Sequence, residues 1–301
     1  MKILVPFSPD ELDDVPDGFE VAYADAIEQW PDSAADTEFY VPTYRFTPQV
    51  FEVMAQLPAL TTVQLLTAGY EHVLPHLPEG VMLCNGAGIH DAATSELAVG
   101  LMISAQRRLT ELARAQAEHR WDQQMSSSLA DRRVLVIGAG NIGRAIQRRL
   151  EGFECEVTLV GRTPRDDVRG IGELPDLLPY AEIVVLIVPL TPDTTGMVDA
   201  WFLSRLPDGA LVVNVARGAV VVTEDLVAEV VSGRLRAALD VTDPEPLPTD
   251  HPLWTTPGVI ITPHVGGAAT SMWPRAHRLV GDQLRRLAAG QPLHHVVVQG
   301  T

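Results

Sequence analysis

Arg217, Asp240, Glu245 and His264 are far apart in the sequence, yet three of them occupy the same kind of place. Arg217 follows the apolar run Ala210-Leu211-Val212-Val213-Asn214-Val215. Asp240 sits in Ala237-Ala238-Leu239-Asp240-Val241, and His264 follows Val259-Ile260-Ile261-Thr262-Pro263. Short unbroken apolar runs read as buried parallel strands. Ligands of open parallel sheets gather beyond the carboxyl ends of such strands, so the three residues are expected at one sheet edge. An arginine there can grip a carboxylate through paired hydrogen bonds and polarise a neighbouring ketone. A histidine can give a proton to an oxygen that turns negative as hydride arrives. Glu245 beside that histidine would orient the ring and favour its charged form. Arg217, Glu245 and His264 together suit the reduction of a 2-oxo acid.

The stretch Arg133 to Arg165 points to the hydride source. The run Val134 to Ile137 leads straight into Gly138-Ala139-Gly140-Asn141-Ile142-Gly143, then Ile146 and Leu150 at helical spacing, then the run Val157 to Val160. Strand, glycine turn, helix and strand is the context that marks a dinucleotide site. Gly138 allows the tight turn, Gly140 lets a pyrophosphate approach the backbone, and Gly143 lets helix and strand pack closely. The helix N-terminus at Asn141, Ile142 and Gly143 faces the phosphates. An NAD-preferring unit places a carboxylate at the end of the second strand, about 20 residues on. Here Gly161 stands there, followed by Arg162-Thr163-Pro164-Arg165. Glycine leaves room for a 2′-phosphate, and Arg162, Thr163 and Arg165 can bind it. NADP(H) is therefore expected over NAD(H).

The framework around these residues is α/β. The first 95 residues, completed by 268–301, are expected to form a substrate domain, and 96–267 the dinucleotide-binding domain. In the first part, Ile3-Leu4-Val5, Val21-Ala22-Tyr23, Phe39-Tyr40-Val41 and Val63-Gln64-Leu65-Leu66 are strand candidates, and Phe51 to Leu57 looks helical. The turn Leu66-Thr67-Ala68-Gly69-Tyr70 offers the N–H groups of Ala68 and Gly69 to a carboxylate. From Asp91 a long helix is expected, capped by Thr94 and striped by Leu97, Leu101, Met102, Ala105 and Leu109. Glu118 to Asp131 reads as a surface loop. Further on come a strand at Ile183 to Val188, whose end at Val188 and Pro189 leads through Thr195, and a helix from Thr223 to Val231. A terminal helix is expected from Ser271 to Ala289, and Pro292 to Val298 as a strand returning to the first domain.

Composition narrows the partners. The charge balance is 22 − 39 = −17, which argues against nucleic acid. No apolar run is long enough to span a membrane. Cys84 and Cys155 are the only cysteines and no metal-ligand spacing occurs, so a reduced, cytoplasmic setting without a metal is expected. Lys2 is the only lysine, which leaves Schiff-base chemistry without a core candidate. Between Arg45 and Arg107 there is no lysine or arginine, so a second clamp for a phosphorylated substrate is missing. His72, His76 and His90 lie in that window, with structural duty the stronger expectation for each. Trp121 and Trp273 are expected at the pocket, a dimer contact or the core.

Taken in order, several segments resemble the D-isomer-specific 2-hydroxyacid dehydrogenase family: Gly138 to Gly143, Pro189-Leu-Thr-Pro192, Asn214-Val-Ala-Arg-Gly218, Ala238-Leu-Asp-Val241 with Glu245-Pro246, His251-Pro-Leu-Trp254 and Thr262-Pro-His264. The resemblance runs from about Val63 to the end and implies two Rossmann-like or flavodoxin-like domains with parallel sheets. It implies an active site in the interdomain cleft, and a homodimer. It implies Arg217 as substrate binder, His264 as acid/base with Glu245 as its partner, and Ala68 and Gly69 as a carboxylate-binding turn. By the same likeness Val188, Pro189, Thr195, Val215, Ala216, Asp240, Gly266 and Gly267 line the cofactor, Asp240 near the nicotinamide amide. Gly161 to Arg165 and Leu239 to Pro248 look most like the glyoxylate/hydroxypyruvate reductase branch, which is typically NADPH-linked. A small-molecule 2-oxo or 2-hydroxy acid is then the substrate. A broader D-2-hydroxyacid dehydrogenase, or a non-catalytic dinucleotide sensor, is the alternative.

Overall fold

Apolar runs become strands, and nearly all of them pair in parallel. The computed structural model describes residues 1–24, 32–44 and 49–300. Contacts divide the chain into two units, Met1–His90 with Thr270–Thr301, and Asp91–Ala269. The first unit begins with β1 (Lys2–Val5), β2 (Glu20–Tyr23) and β3 (Phe39–Tyr40). It continues through a single helical turn α1 (Gln49–Glu52), tightened into a 3-10 turn at Val53–Gln56, to β4 (Thr62–Gln64) and β5 (Met82–Cys84). The helix expected from Phe51 to Leu57 is thus short and half 3-10, and the strand expected through Leu66 ends at Gln64.

The second unit opens with α2 (Asp91–Gln106) and α3 (Leu109–Ala117). One continuous helix was expected here. It breaks because Arg108 takes a left-handed conformation, φ 55°, which turns the chain out of the helix. Leu109 therefore leaves the buried stripe and is 45% exposed. Thr94 lies inside α2 rather than capping it. There follow β6 (Arg133–Ile137), α4 (Asn141–Glu151), β7 (Glu156–Gly161), β8 (Val168–Gly170), α5 (Leu174–Leu177) and β9 (Ile183–Leu186). Then come α6 (Ala200–Ser204), β10 (Leu211–Asn214), α7 (Thr223–Val231), β11 (Arg236–Leu239) and β12 (Val259–Ile261). The chain returns to the first unit with α8 (Met272–Ala288) and β13 (Val296–Val298).

The second unit's sheet has the order β12-β11-β10-β9-β6-β7-β8, all parallel. Both faces are covered, as unbroken apolar strands require. Val134, Val136, Val185 and Val213 point to the face held by Leu101, Met102, Ile146 and Leu150. Leu135, Ile137, Val184 and Val212 point to the face held by Phe202, Leu226 and Val230. The first unit's sheet runs β13-β5-β4-β3-β1-β2, parallel except for β13, which pairs antiparallel with β5. Behind β4, Gln64 and Gln283 are fully buried and satisfy each other: Gln283 Nε2 donates to Gln64 Oε1 at 2.7 Å and to the His294 carbonyl at 2.9 Å. That network anchors α8 and the returning tail to the central strands of this unit.

Cys84, on β5, is fully buried, and burial pushes its thiol up to about 12. Cys155 is half-buried beside the Leu129 carbonyl. Thiolate is the reactive form. Titration with a disulfide reagent at mildly alkaline pH should therefore find no more than one reactive thiol in the native protein, the second appearing with denaturant. Reaction of Cys84 in the native state would contradict the packing of β5.

Candidate active site

Strand register alone brings the chemistry to one edge. Val160, Ile137, Leu186, Asn214, Leu239 and Ile261 form one row of Cα partners across the second unit's sheet. The chain leaves this row at Gly161, Gly138, Ile187, Val215, Asp240 and Thr262, so the residues beyond the strands share the carboxyl edge, with the sheet's switch point between β6 and β9.

At that point the glycine turn has little choice of residue. Gly138 has φ +122°, and a side chain there would overlap the Ile187 carbonyl. One at Gly143 would overlap the Gly138 carbonyl. Among the described residues, chain neighbours aside, no atom lies within 4 Å of a Cβ position at Gly140, so the backbone can be approached there. Among the described residues no side chain caps α4 at Gly140, which leaves the first-turn N–H groups of Asn141, Ile142 and Gly143 directed at an incoming anion. These features fit a dinucleotide pyrophosphate. At the end of β7, a Cβ on Gly161 would come within 3.1 Å of Val168 and 3.6 Å of Ala139. Arg162 and Thr163 are exposed beyond it. Arg165 Nη2 donates to the Ala139 carbonyl at 3.1 Å and so ties this turn to the glycine loop. The turn is pinned again by a two-pronged ion pair between Arg144, on α4, and Asp167. The hydrogen bond from Arg144 holds the Asp167 carboxyl below its ordinary range.

After β9, Val188 and Pro189 lead into a loop closed by its own threonines. Thr194 Oγ1 donates to the Pro189 carbonyl at 2.6 Å, and Thr195 Oγ1 donates to the Thr191 carbonyl at 2.8 Å. After β10, Asn214 is buried and shapes the loop that carries Arg217. Its Oδ1 accepts from the Ala216 N–H at 3.0 Å, and its Nδ2 donates to the Arg217 carbonyl at 2.9 Å. Val215 and Ala216 are buried in this loop. A side chain at Gly218 would overlap the Thr242 carbonyl. The Arg217 loop and the start of the Glu245 loop therefore pack backbone to backbone, and Thr223 Oγ1 adds a hydrogen bond to the Asp243 carbonyl at 2.7 Å.

His264 and Glu245 meet: Nδ1 and Oε1 are 2.6 Å apart, with both side chains partly exposed. The histidine occupies a left-handed backbone conformation, φ 53°, which costs a residue with a side chain some strain that its surroundings must offset. Asp240 does most of that holding. It is 3% exposed. Its Oδ1 accepts from Thr262 Oγ1 at 2.6 Å and the Val265 N–H at 2.9 Å, and its Oδ2 from the Gly266 N–H at 2.8 Å. Its carbonyl accepts the His264 N–H at 2.8 Å. A place near the nicotinamide amide was expected for Asp240; the structure engages its carboxylate with the 262–266 turn. The Gly267 carbonyl accepts from the Ala269 N–H at 2.9 Å and continues that turn.

The remaining expected residues lie in the first unit. In the turn after β4, the Ala68 carbonyl accepts from Asn85 Nδ2 and the Gly69 carbonyl from Thr67 Oγ1, both at 2.8 Å. Among the described residues neither N–H of this pair donates a hydrogen bond, as a carboxylate-binding turn requires. His90 is buried with Nε2 on the Leu66 carbonyl, 2.7 Å, while His72 and His76 lie against Phe51. Trp273 packs on Phe7 and His277. Arg45 lies outside the described residues. Sequence reasoning missed Asn214, Thr94 and Arg144 as members of this edge. Asn214 and Thr94 act on backbone groups, which leave no sequence signal.

Comparison with known proteins gives the chemistry its family. A family model described as D-isomer specific 2-hydroxyacid dehydrogenase, NAD binding domain, matches residues 99–266. Glyoxylate/hydroxypyruvate reductase A of Photorhabdus laumondii is 31% identical over 80% of this chain and 81% of its own length. The crystal structure of an NADPH-dependent glyoxylate/hydroxypyruvate reductase from Sinorhizobium meliloti, in complex with NADP and sulfate, superposes with TM-score 0.82 at 27% identity, covering 98% of each chain. A D-isomer specific 2-hydroxyacid dehydrogenase from Xanthobacter autotrophicus, in complex with NADPH and MES, gives TM-score 0.81 at 29% identity, covering 99% of this chain and 97% of that one.

An Asp240→Asn substitution tests the turn. In either orientation its amide group would face a donor, against Gly266 or against Thr262 and Val265. Loss of charged acceptor bonds at a buried site should lower the unfolding free energy by about 2–3 kcal/mol, read from urea denaturation. An unchanged midpoint would show that the carboxylate does not hold the turn.

Proposed function

The chain belongs to the D-isomer specific 2-hydroxyacid dehydrogenase family of NAD(P)-dependent oxidoreductases, and we propose that it reduces small 2-oxo acids of the glyoxylate/hydroxypyruvate type with NADPH. The observation that carries the reading is the His264–Glu245 pair, 2.6 Å apart, on a turn pinned at the same sheet edge as Arg217. Reduced nicotinamide, when bound, supplies the hydride. Glu245 takes the Nδ1 side of the ring, so His264 presents its proton on Nε2 to the oxygen that becomes negative as the carbonyl carbon accepts hydride. Arg217 binds the substrate carboxylate and draws electron density from the ketone. The Ala68–Gly69 turn of the first unit offers N–H groups of the kind that hold a carboxylate. The absence of lysine and arginine between Arg45 and Arg107 favours an unphosphorylated acid.

The residues that would hold the cofactor are Gly138 to Gly143 for the pyrophosphate and Gly161 to Arg165 for the 2′-phosphate. Arg165 is already engaged with the Ala139 carbonyl and Arg144 with Asp167. That makes exposed Arg162 the arginine with most freedom to meet a phosphate. Relatives bound to NADPH and NADP support this preference. A homodimer is the assembly we favour, because Trp121 and Met125 are 94% and 96% exposed on the 118–131 loop; large apolar side chains displayed this way mark protein contacts. Two free cysteines agree with a cytoplasmic setting.

His264→Ala should slow the chemical step by about 10²–10⁴-fold, the usual worth of a positioned acid, with NADPH binding retained. A near-normal rate would remove His264 from the mechanism. Arg217→Ala should abolish most turnover and leave NADPH affinity intact; parallel loss of both would make Arg217 structural. Arg162→Ala should raise KM for NADPH and leave that for NADH in place. An unchanged ratio of the two would end the phosphate assignment.

A further inference from the structure

We propose that Thr94, on the first turn of α2, is a positioning residue for the reaction, acting on His264 through the backbone of Gly266. This rests on the reductase reading above. From His264 to Gly266 each N–H of the turn meets Asp240, at the end of β11: His264 N–H on the main-chain carbonyl, a bond it shares with the Thr262 carbonyl, and Val265 and Gly266 N–H on the carboxylate. Bonds from one side leave the turn able to pivot about that residue. The opposing bond comes from elsewhere in the chain. Thr94 Oγ1 donates to the Gly266 carbonyl at 3.1 Å, in a buried setting.

The direction of this hydroxyl is informative. Serine and threonine inside helices commonly return their hydroxyl to a carbonyl one turn back. Ser95, the next residue, does so, donating to the carbonyls of Asp91 and Ala92. Thr94 reaches across to the catalytic turn. Gly266 is gripped between the two: a Cβ there would lie 2.9 Å from Asp240 Oδ2, 3.4 Å from Thr94 Cγ2 and 3.5 Å from Thr94 Oγ1. The helix behind Thr94 is itself anchored. Ala98, Leu101 and Met102 are buried in the sheet's core, and Arg236 on β11 donates to the Ala105 carbonyl and to Gln106 Oε1 at 2.9 Å. With Asp240 on one side and Thr94 on the other, His264 keeps a left-handed conformation that it would leave if the turn relaxed. Sub-ångström placement of an acid is what its rate depends on.

Thr94→Val keeps the volume and removes the hydroxyl, and Thr94→Ser keeps the hydroxyl and removes the methyl. In the full chain, Thr94→Val should lower kcat at least about tenfold while KM for NADPH stays within about twofold, and Thr94→Ser should restore most of kcat. Hydrogen–deuterium exchange should quicken in the 264–267 segment of the valine variant and not in the serine one. A valine variant with wild-type kcat, or a serine variant as slow as valine, overturns the proposal. So does exchange that is unchanged in that segment. Should the valine variant fail to fold, Thr94→Ala replaces it, and wild-type kcat in alanine overturns the proposal equally. A wild-type chain that turns over none of glyoxylate, hydroxypyruvate or pyruvate refutes the reductase reading, and the exchange measurement then decides the turn by itself.

Discussion

One buried carboxylate organises the carboxyl edge of the second unit's sheet. Among the described residues Asp240 has no cation as partner; its charge is met by two N–H groups and one hydroxyl drawn from Thr262, Val265 and Gly266. Such an arrangement is stable only when all the donors converge, so the carboxylate dictates the path of the turn rather than adjusting to it. His264 stands in the middle of that path, in a left-handed conformation, and its ring is thereby directed to Glu245. The histidine proposed as the acid is positioned by backbone chemistry around it, and Glu245 completes the orientation.

The same edge depends on close approaches of main chain to main chain. Gly138, Gly143 and Gly218 each stand where a side chain would overlap a carbonyl of the neighbouring loop. The first two draw the glycine turn onto Ile187 and α4 onto the turn, which directs the α4 N-terminus at the place a pyrophosphate takes. Gly218 draws the Arg217 loop onto Thr242 and Asp243 and so couples Arg217 to the loop that carries Glu245. Parallel register supplies the rest, since six strand ends fall in one row.

Much of this was legible in the sequence, for identifiable reasons. Parallel strands covered on both faces read as unbroken apolar runs, so every central strand of the second unit was visible, and with them the edge where Arg217, Asp240 and His264 gather. The glycine turn was visible because steric demand leaves only one residue type. What escaped was short or acted on backbone. β5 and β8 have three residues each, too few for a period. The break between α2 and α3 comes from one left-handed arginine, Arg108, a residue type with no preference for that conformation. Thr94 looked like a cap because its type favours caps, and its partner lies far along the chain at Gly266. Asp240 was recognised as belonging to the site, but its three donors, two of them main-chain N–H groups, carry no sequence signature.

The most direct test of the account is oxidation of NADPH by the wild-type chain, with NADH alongside, against glyoxylate, hydroxypyruvate, pyruvate and a bulkier 2-oxo acid. Rapid loss of NADPH is expected with glyoxylate and hydroxypyruvate, and slower loss of NADH with the same acids. Silence with every acid, in a protein that still binds NADPH, would contradict it and leave a dinucleotide-binding protein whose His264–Glu245 pair serves no reduction.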